Sequence, residues 1–200
     1  TEIKPQHLVR EIDRVSGGEA IVCADVGQHQ MWGAQFLRFN RPRLWLSSGG
    51  LGSMGFGLPS AIGAQIANPG KRVFALVGDG GFQMSIPELA TIANHDLPVK
   101  IVVMNNGHLG MVRQWQELFY SRTYSEVGLE WLPDFVKLAE AYHAKGLRAT
   151  RPDEVRPILE EGLRTPGLVV MEMGVCQEES GYPMGPGGAS RHRSRGQVRD

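Results

Sequence analysis

Two hundred residues make one ordinary domain, long enough to bury roughly 70% of the surface its unfolded chain exposes without a disulfide or metal staple. The 21 basic and 21 acidic side chains balance, which argues against a general nucleic-acid-binding or polyanion-binding surface. No apolar run reaches the ~18–20 residues that span a bilayer, no signal-peptide core opens the chain, and Cys23 and Cys176 fit no metal spacing, so a soluble cytoplasmic chain with two free thiols is expected.

In chain order the pattern predicts a helix over 5–16, a strand at 20–24 (AIVCA), a helix over 58–67 and a strand at 73–77 (VFALV). A helix over 86–94, a strand at 99–104 (VKIVVM) and helices over 109–119 and 133–143 follow. A strand at 146–149 (GLRA), a helix over 152–164 and a strand at 168–173 (LVVMEM) complete the set. Asp134 after Pro133 caps one helix, Pro152 and Asp153 open another, and Pro166-Gly167 stops it. Continuously apolar strands between amphipathic helices imply an α/β fold: a doubly wound, mainly parallel sheet with helices on both faces. Residues 1–177 read as that domain. Residues 178–200 read as a C-terminal loop and mobile tail, rich in Gly and Pro and then in arginine.

Ligands of such sheets gather at the carboxyl ends of the strands. The polar residues placed there are Asp25, Asp79, Asn105 and Asn106. Glycine is abundant, 26 of 200 against a usual ~7%, and much of it falls at turns between residues 49 and 81. In GDGG, Asp79 follows a strand and Gly80 and Gly81 leave backbone amides bare before a helix expected near Ser85. A phosphate could sit on those amides, with Asp79 holding a Mg2+ ion beside it. Asn105 and Asn106 lie 26 and 27 positions later, one βαβ crossover on, which sets the two strand ends side by side. Gly50, Gly52 and Gly55 also satisfy a dinucleotide fingerprint, with Asp79 downstream. That nicotinamide reading is set aside because LWLSS, before Gly50, makes no convincing strand.

GDG followed by NN resembles the signature of thiamine-diphosphate enzymes. The surrounding text resembles the catalytic subunit of acetohydroxyacid synthase, also called acetolactate synthase. The matching stretches are DVGQHQMW (25–32), SSGGLGSMGFGLPSAIGA (47–64), GDGGFQMSIPELATI (78–92), NNGHLGMVRQWQELFY (105–120) and, less closely, PMGPGGAS (183–190). By this resemblance Asp79 and Asn106 bind Mg2+ through side chains and His108 through its backbone carbonyl. Gly80 and Gly81 serve the diphosphate, helped by Gln28 and His29, with Val26, Gly27 and Gly78 alongside. Gly52 and Met54 read the aminopyrimidine, and Met54 bends the cofactor. Leu109, Gly110, Met111 and Val112 wall the reaction space, and Trp115 favours 2-oxobutyrate over pyruvate as acceptor.

The implied reaction joins two 2-oxoacids with decarboxylation: two pyruvates give 2-acetolactate and CO2, and pyruvate with 2-oxobutyrate gives 2-aceto-2-hydroxybutyrate, in branched-chain amino-acid synthesis. The family's activating glutamate belongs to an N-terminal pyrimidine domain donated by another subunit, and FAD is held mainly by a middle domain. Neither domain is expected in this chain, which therefore reads as a fragment or split subunit that is inactive alone. The complete enzyme is expected to be a homo-oligomer that can take a small regulatory subunit, without nucleic-acid or membrane partners. Alternatives are another thiamine enzyme, such as a pyruvate oxidase or 2-oxoacid decarboxylase, or a cofactor-binding subunit that needs a partner. MVRQWQ with Trp115 favours the synthase. Two departures are Gly107, where relatives carry a larger polar residue and the loop should loosen, and GPGG at 185–188, which bears on closure of a C-terminal lid.

Overall fold

The computed structural model describes residues 2–185. The arginine-rich end and the GPGG stretch beyond Gly185 lie outside the described residues. Helix α1 (Pro5–Ser16) leads into β1 (Ile21–Ala24), α2 (Gln28–Phe36), β2 (Trp45–Ser47) and α3 (Gly57–Ala67). Next come β3 (Val73–Gly78), the short α4 (Asp79–Gln83), a 3-10 turn at Ile86–Glu88, α5 (Leu89–Asn94) and β4 (Lys100–Asn105). The chain continues through α6 (Gly110–Phe119), α7 (Phe135–Ala141), β5 (Lys145–Ala149), α8 (Pro152–Arg164) and β6 (Val169–Gly174).

All six strands pair in parallel in the order β2-β1-β3-β4-β6-β5. Strand side chains alternate between faces. Val22, Phe74, Leu76, Val102 and Met171 pack under α1, α2 and α8, against Leu8, Ile12, Trp32 and Leu159. Cys23, Ala75, Val77, Ile101 and Val103 pack under α3, α5 and α7, against Leu58, Ile92 and Phe135. The doubly wound α/β fold read from the sequence is therefore the one observed. The central β3 and β4 are buried along almost their whole length, which is why they read as unbroken apolar runs. Asp134 caps α7 as expected, accepting N–H bonds from Val136 and Lys137.

Three expectations are corrected. The helix after GDGG starts at Asp79 rather than near Ser85, and the stretch 86–94 divides into the 3-10 turn and α5. Helix α2 was not foreseen. Strand β2 exists, pairing Trp45 with Val22 and Leu46 with Cys23, so a missing strand before Gly50 is not a ground against the dinucleotide fingerprint. No helix among the described residues is long and apolar enough to cross a membrane.

Lys100, buried at the start of β4, donates from Nζ to the carbonyls of Thr165 and Gly167 at 2.7 Å each, closing the end of α8. Burial pushes its pKa down to about 8. A base whose folded pKa lies below its unfolded value holds fewer protons when folded, so its contribution to stability rises between those two pH values. Relative to Lys100→Met, the native chain should therefore gain stability from about pH 8 towards pH 10. Urea unfolding of both chains across that range checks it, and a flat difference would refute it.

Candidate functional site

The chain runs outward from β1 to β2, then crosses back to β3 on the other side of β1. Between β1 and β3 the winding reverses, and the loops at the carboxyl ends part to leave a crevice. A cavity of about 240 Å³ lies there. Val26, Gly27, Gln28 and His29 line it from beyond β1, Gly52 and Met54 from beyond β2, and Gly78, Asp79, Gly80 and Gly81 from the β3–α4 junction. Asn106, His108, Leu109, Gly110, Met111 and Val112 close it from beyond β4. Trp115 lies outside it, in an adjoining open groove of about 450 Å³ with Met111, Val112, Gln116, Tyr120 and Thr123. Met111 and Val112 border both spaces. Trp32, Met104 and Val175 also line the cavity without having been nominated. Trp32 ends the DVGQHQMW stretch and could have been found there, whereas Val175 carries no local signal.

Asp79 is buried, and its carboxylate is held by backbone amides. Oδ1 accepts from Gly80 at 2.7 Å, and Oδ2 accepts from Gly107 at 2.7 Å and Asn106 at 3.1 Å. The Gly80 N–H thus points at Asp79 rather than at the cavity. Burial pushes the Asp79 pKa up, while the three amide bonds and His108 oppose it. No ion pair reaches Asp79 among the described residues. A buried carboxylate whose direct hydrogen bonds all come from backbone amides favours a cation. Gly107, at φ 68, turns its N–H onto that carboxylate in the left-handed region that suits glycine, so here the small residue shapes the turn.

The two asparagines point different ways. Asn106 Oδ1 accepts from the His108 N–H at 3.1 Å, and its Nδ2 donates to Gln28 Oε1 at 3.3 Å. Asn105 instead donates to Glu172 of β6 at 2.8 Å and accepts from Gly107 N–H at 3.1 Å. Glu172 is held in turn by Arg148 at 2.8 Å. Asn105 thus fastens the loop to the sheet, and Asn106 faces the cavity. Gln177 Nε2 lies 3.1 Å from His108 Nε2, and His108 Nδ1 lies 3.1 Å from Asn106 O, so the ring is held between the C-terminal stretch and the β4–α6 loop.

Beyond β1, Asp25 is fully buried and takes the N–H groups of Val26, Gly55 and Gly57 at 2.7, 3.0 and 2.9 Å. It pins the turn that carries Met54 over the strand end. Burial pushes His29 down to about 4, against the opposing charge and backbone of Asp25, so the ring is neutral near pH 7. His29 Nε2 and Trp32 Nε1 are buried without a hydrogen-bond partner among the described residues, and both residues line the cavity. Gln28 departs from its expected part: both its amide hydrogens are taken, by Gln114 Oε1 at 2.9 Å and Glu179 O at 3.1 Å.

The residues present fit a Mg2+-diphosphate group. No cluster of three or more His, Cys, Asp or Glu side chains suited to a metal occurs among the described residues. An ion here would be held by one carboxylate, an amide oxygen and backbone and ligand oxygens, a hard set that suits Mg2+. The unpartnered ring nitrogens of His29 and Trp32 are the orphaned polar atoms that a bound anion would satisfy.

Comparison with known proteins agrees with this geometry. Residues 25–173 match the family described as thiamine pyrophosphate enzyme, C-terminal TPP binding domain. The chain is 46% identical over 196 residues to acetolactate synthase 1, chloroplastic, of Oryza sativa subsp. japonica, covering 94% of this chain and 30% of that one. It is 46% identical over 186 residues to acetolactate synthase isozyme 3 large subunit of Escherichia coli, covering 92% and 32%. The chain therefore spans about a third of the length of these curated relatives. Among solved structures, a thiamine diphosphate-dependent 4-hydroxybenzoylformate decarboxylase of Rhodococcus jostii superposes with a TM-score of 0.82 at 24% identity, covering 90% of this chain and 34% of that one, a likeness of fold.

Proposed function

The chain belongs to the thiamine pyrophosphate enzymes, whose C-terminal TPP-binding domain it carries, and from that premise we propose that it forms the Mg2+- and diphosphate-holding part of an acetolactate synthase. The observation that carries this is the convergence of Asp79, Asn106, His29 and Met54 on one cavity where the sheet reverses. Asp79 and Asn106 side chains and the His108 carbonyl hold Mg2+. Gly81 and the rings of His29 and Trp32 meet the diphosphate, and Gly52 and Met54 meet the aminopyrimidine. Bound thiamine diphosphate supplies the carbanion-stabilising centre for decarboxylating a 2-oxoacid and joining the remainder to a second one. Leu109, Met111 and Val112 exclude water from that end of the cavity, and Trp115 sorts the acceptor in the adjoining groove.

Asp79 is the acidic residue that lines the cavity. The activating carboxylate is donated by a partner polypeptide that bears the pyrimidine domain, as the family resemblance implies. In the complete homo-oligomeric enzyme, FAD sits mainly outside this chain, a small regulatory subunit can join, and the substrates are pyruvate and 2-oxobutyrate.

Acetolactate formation from pyruvate should be absent for this chain alone and appear once the pyrimidine-domain polypeptide is added. Turnover by the chain alone would overturn the division of labour. In the reconstituted enzyme, Trp115→Leu should lower the share of 2-aceto-2-hydroxybutyrate formed from mixed pyruvate and 2-oxobutyrate, and an unchanged product ratio would remove Trp115 from acceptor choice.

A further inference from the structure

The roles assigned so far leave out Gln114, although it is 1% exposed on α6 and bonded on every side. We propose that Gln114 and Gln28 form a relay that fixes which end of the Asn106 carboxamide faces the cation, an inference that rests on the Mg2+-diphosphate reading. The two ends of an amide side chain are nearly equal in size, so only hydrogen bonding decides its direction. A backbone peptide has no such ambiguity.

The direction starts at Gly181. Its N–H donates to Gln114 Oε1 at 2.8 Å, and its carbonyl accepts from Gln114 Nε2, which also donates to Met184 Sδ at 3.3 Å. Gln114 Oε1 must then be the acceptor towards Gln28 Nε2, at 2.9 Å. The second hydrogen of Gln28 goes to the Glu179 carbonyl at 3.1 Å, which specifies the same direction again. Gln28 Oε1 is left to accept from Asn106 Nδ2 at 3.3 Å, which holds the carboxamide in the same direction that the His108 N–H requires by donating to Asn106 Oδ1 at 3.1 Å. An amide oxygen is a hard ligand for Mg2+, and an NH2 group is none. Reversing any link would set donor against donor in a buried site. Gln114 and Gln28 are positioning residues that act through Asn106, and the segment 179–181 supplies the reference direction.

The test is Mg2+ titrated by calorimetry into the full chain at saturating thiamine diphosphate, with thermal unfolding confirming that each variant is folded. Gln114→Met and Gln28→Met should each weaken Mg2+ about tenfold or more, the usual penalty for removing a partner that orients a metal ligand. In an Asn106→Asp background the ligand's two oxygens are equivalent, and the same replacements should change affinity by less than about twofold. A loss of equal size in both backgrounds, or none with Asn106 present, overturns the relay. Failure of the unsubstituted chain to bind thiamine diphosphate in a Mg2+-dependent way would bring down the underlying reading and the relay together.

Discussion

Asp79→Ala is expected to lower Mg2+-dependent affinity for thiamine diphosphate by at least about 100-fold, which is about 2.7 kcal/mol. Partners that only orient a metal ligand already cost roughly 10- to 100-fold when removed, and Asp79 is the charged ligand itself. Its carboxylate is also the common acceptor for the Gly80, Asn106 and Gly107 N–H groups, so it shapes the β4–α6 loop as well as facing the ion. Alanine strands those amides, at roughly 1–3 kcal/mol of stability. For a chain of this size that lowers the melting temperature by a few degrees, about 2–4 °C per kcal/mol. Asp79→Asn separates the two effects, because it keeps the volume and one acceptor oxygen while removing the charge. It should lose the ion yet unfold closer to the native temperature. Unchanged cofactor affinity in either variant by calorimetry would remove Asp79 from the site.

Gly110→Ala should damage binding far more than it damages the fold. A β-carbon at Gly110 would clash with Gln28 Oε1 and lie 2.7 Å from Asn106 Nδ2 and 2.9 Å from Gln28 Cδ, so the Gln28 carboxamide must move. Both are side-chain ends and can yield without disturbing the sheet, but Gln28 is buried and loses its bonds to Gln114 and Glu179 when it moves. That costs roughly 1–3 kcal/mol, which the gain of up to about 1 kcal/mol in helix propensity at the start of α6 offsets only in part. Thermal stability should accordingly fall by no more than about 1–2 kcal/mol, while Mg2+ affinity falls about 10- to 100-fold. The expected signature is a folded chain that no longer holds the ion. Unimpaired binding would show that the Gln28–Asn106 contact is dispensable.

How much of this is legible in the sequence depends on where each residue's information lies. The five foreseen strands are each found within one residue of their expected limits, because burial on both faces leaves an unbroken apolar run. Strand β2 escapes because it is three half-buried residues at the sheet edge, ordered by pairing with β1 rather than by its own pattern. Helix α2 escapes because its buried residues include Gln28 and His29, polar groups turned inward for the site, which blurs the apolar stripe that marks a helix. The cavity lining was legible, since each of its loops carries a glycine-rich or asparagine motif at a strand end. The part of Gln28 was not. Its amide is satisfied by Gln114 and Glu179, 86 and 151 positions away, and no local spacing reports such partners.

The stretch from Gln177 to Met184 bears on the order in which the molecule assembles. It gives Gln177 to His108, the Glu179 carbonyl to Gln28 and the Gly181 peptide to Gln114, and Glu179 reaches back to Gln6 across 173 positions. Contacts between segments so far apart form late, since the chain must close long loops before they are rewarded. On a ribosome adding about 5–20 residues per second, every strand of the sheet can emerge before this stretch does. The domain thus passes through an interval in which its core can be complete while Gln28 and Asn106 lack their reference. Competence to hold the ion is thus expected to follow the docking of Gln177–Met184, and not the completion of the sheet that frames the site.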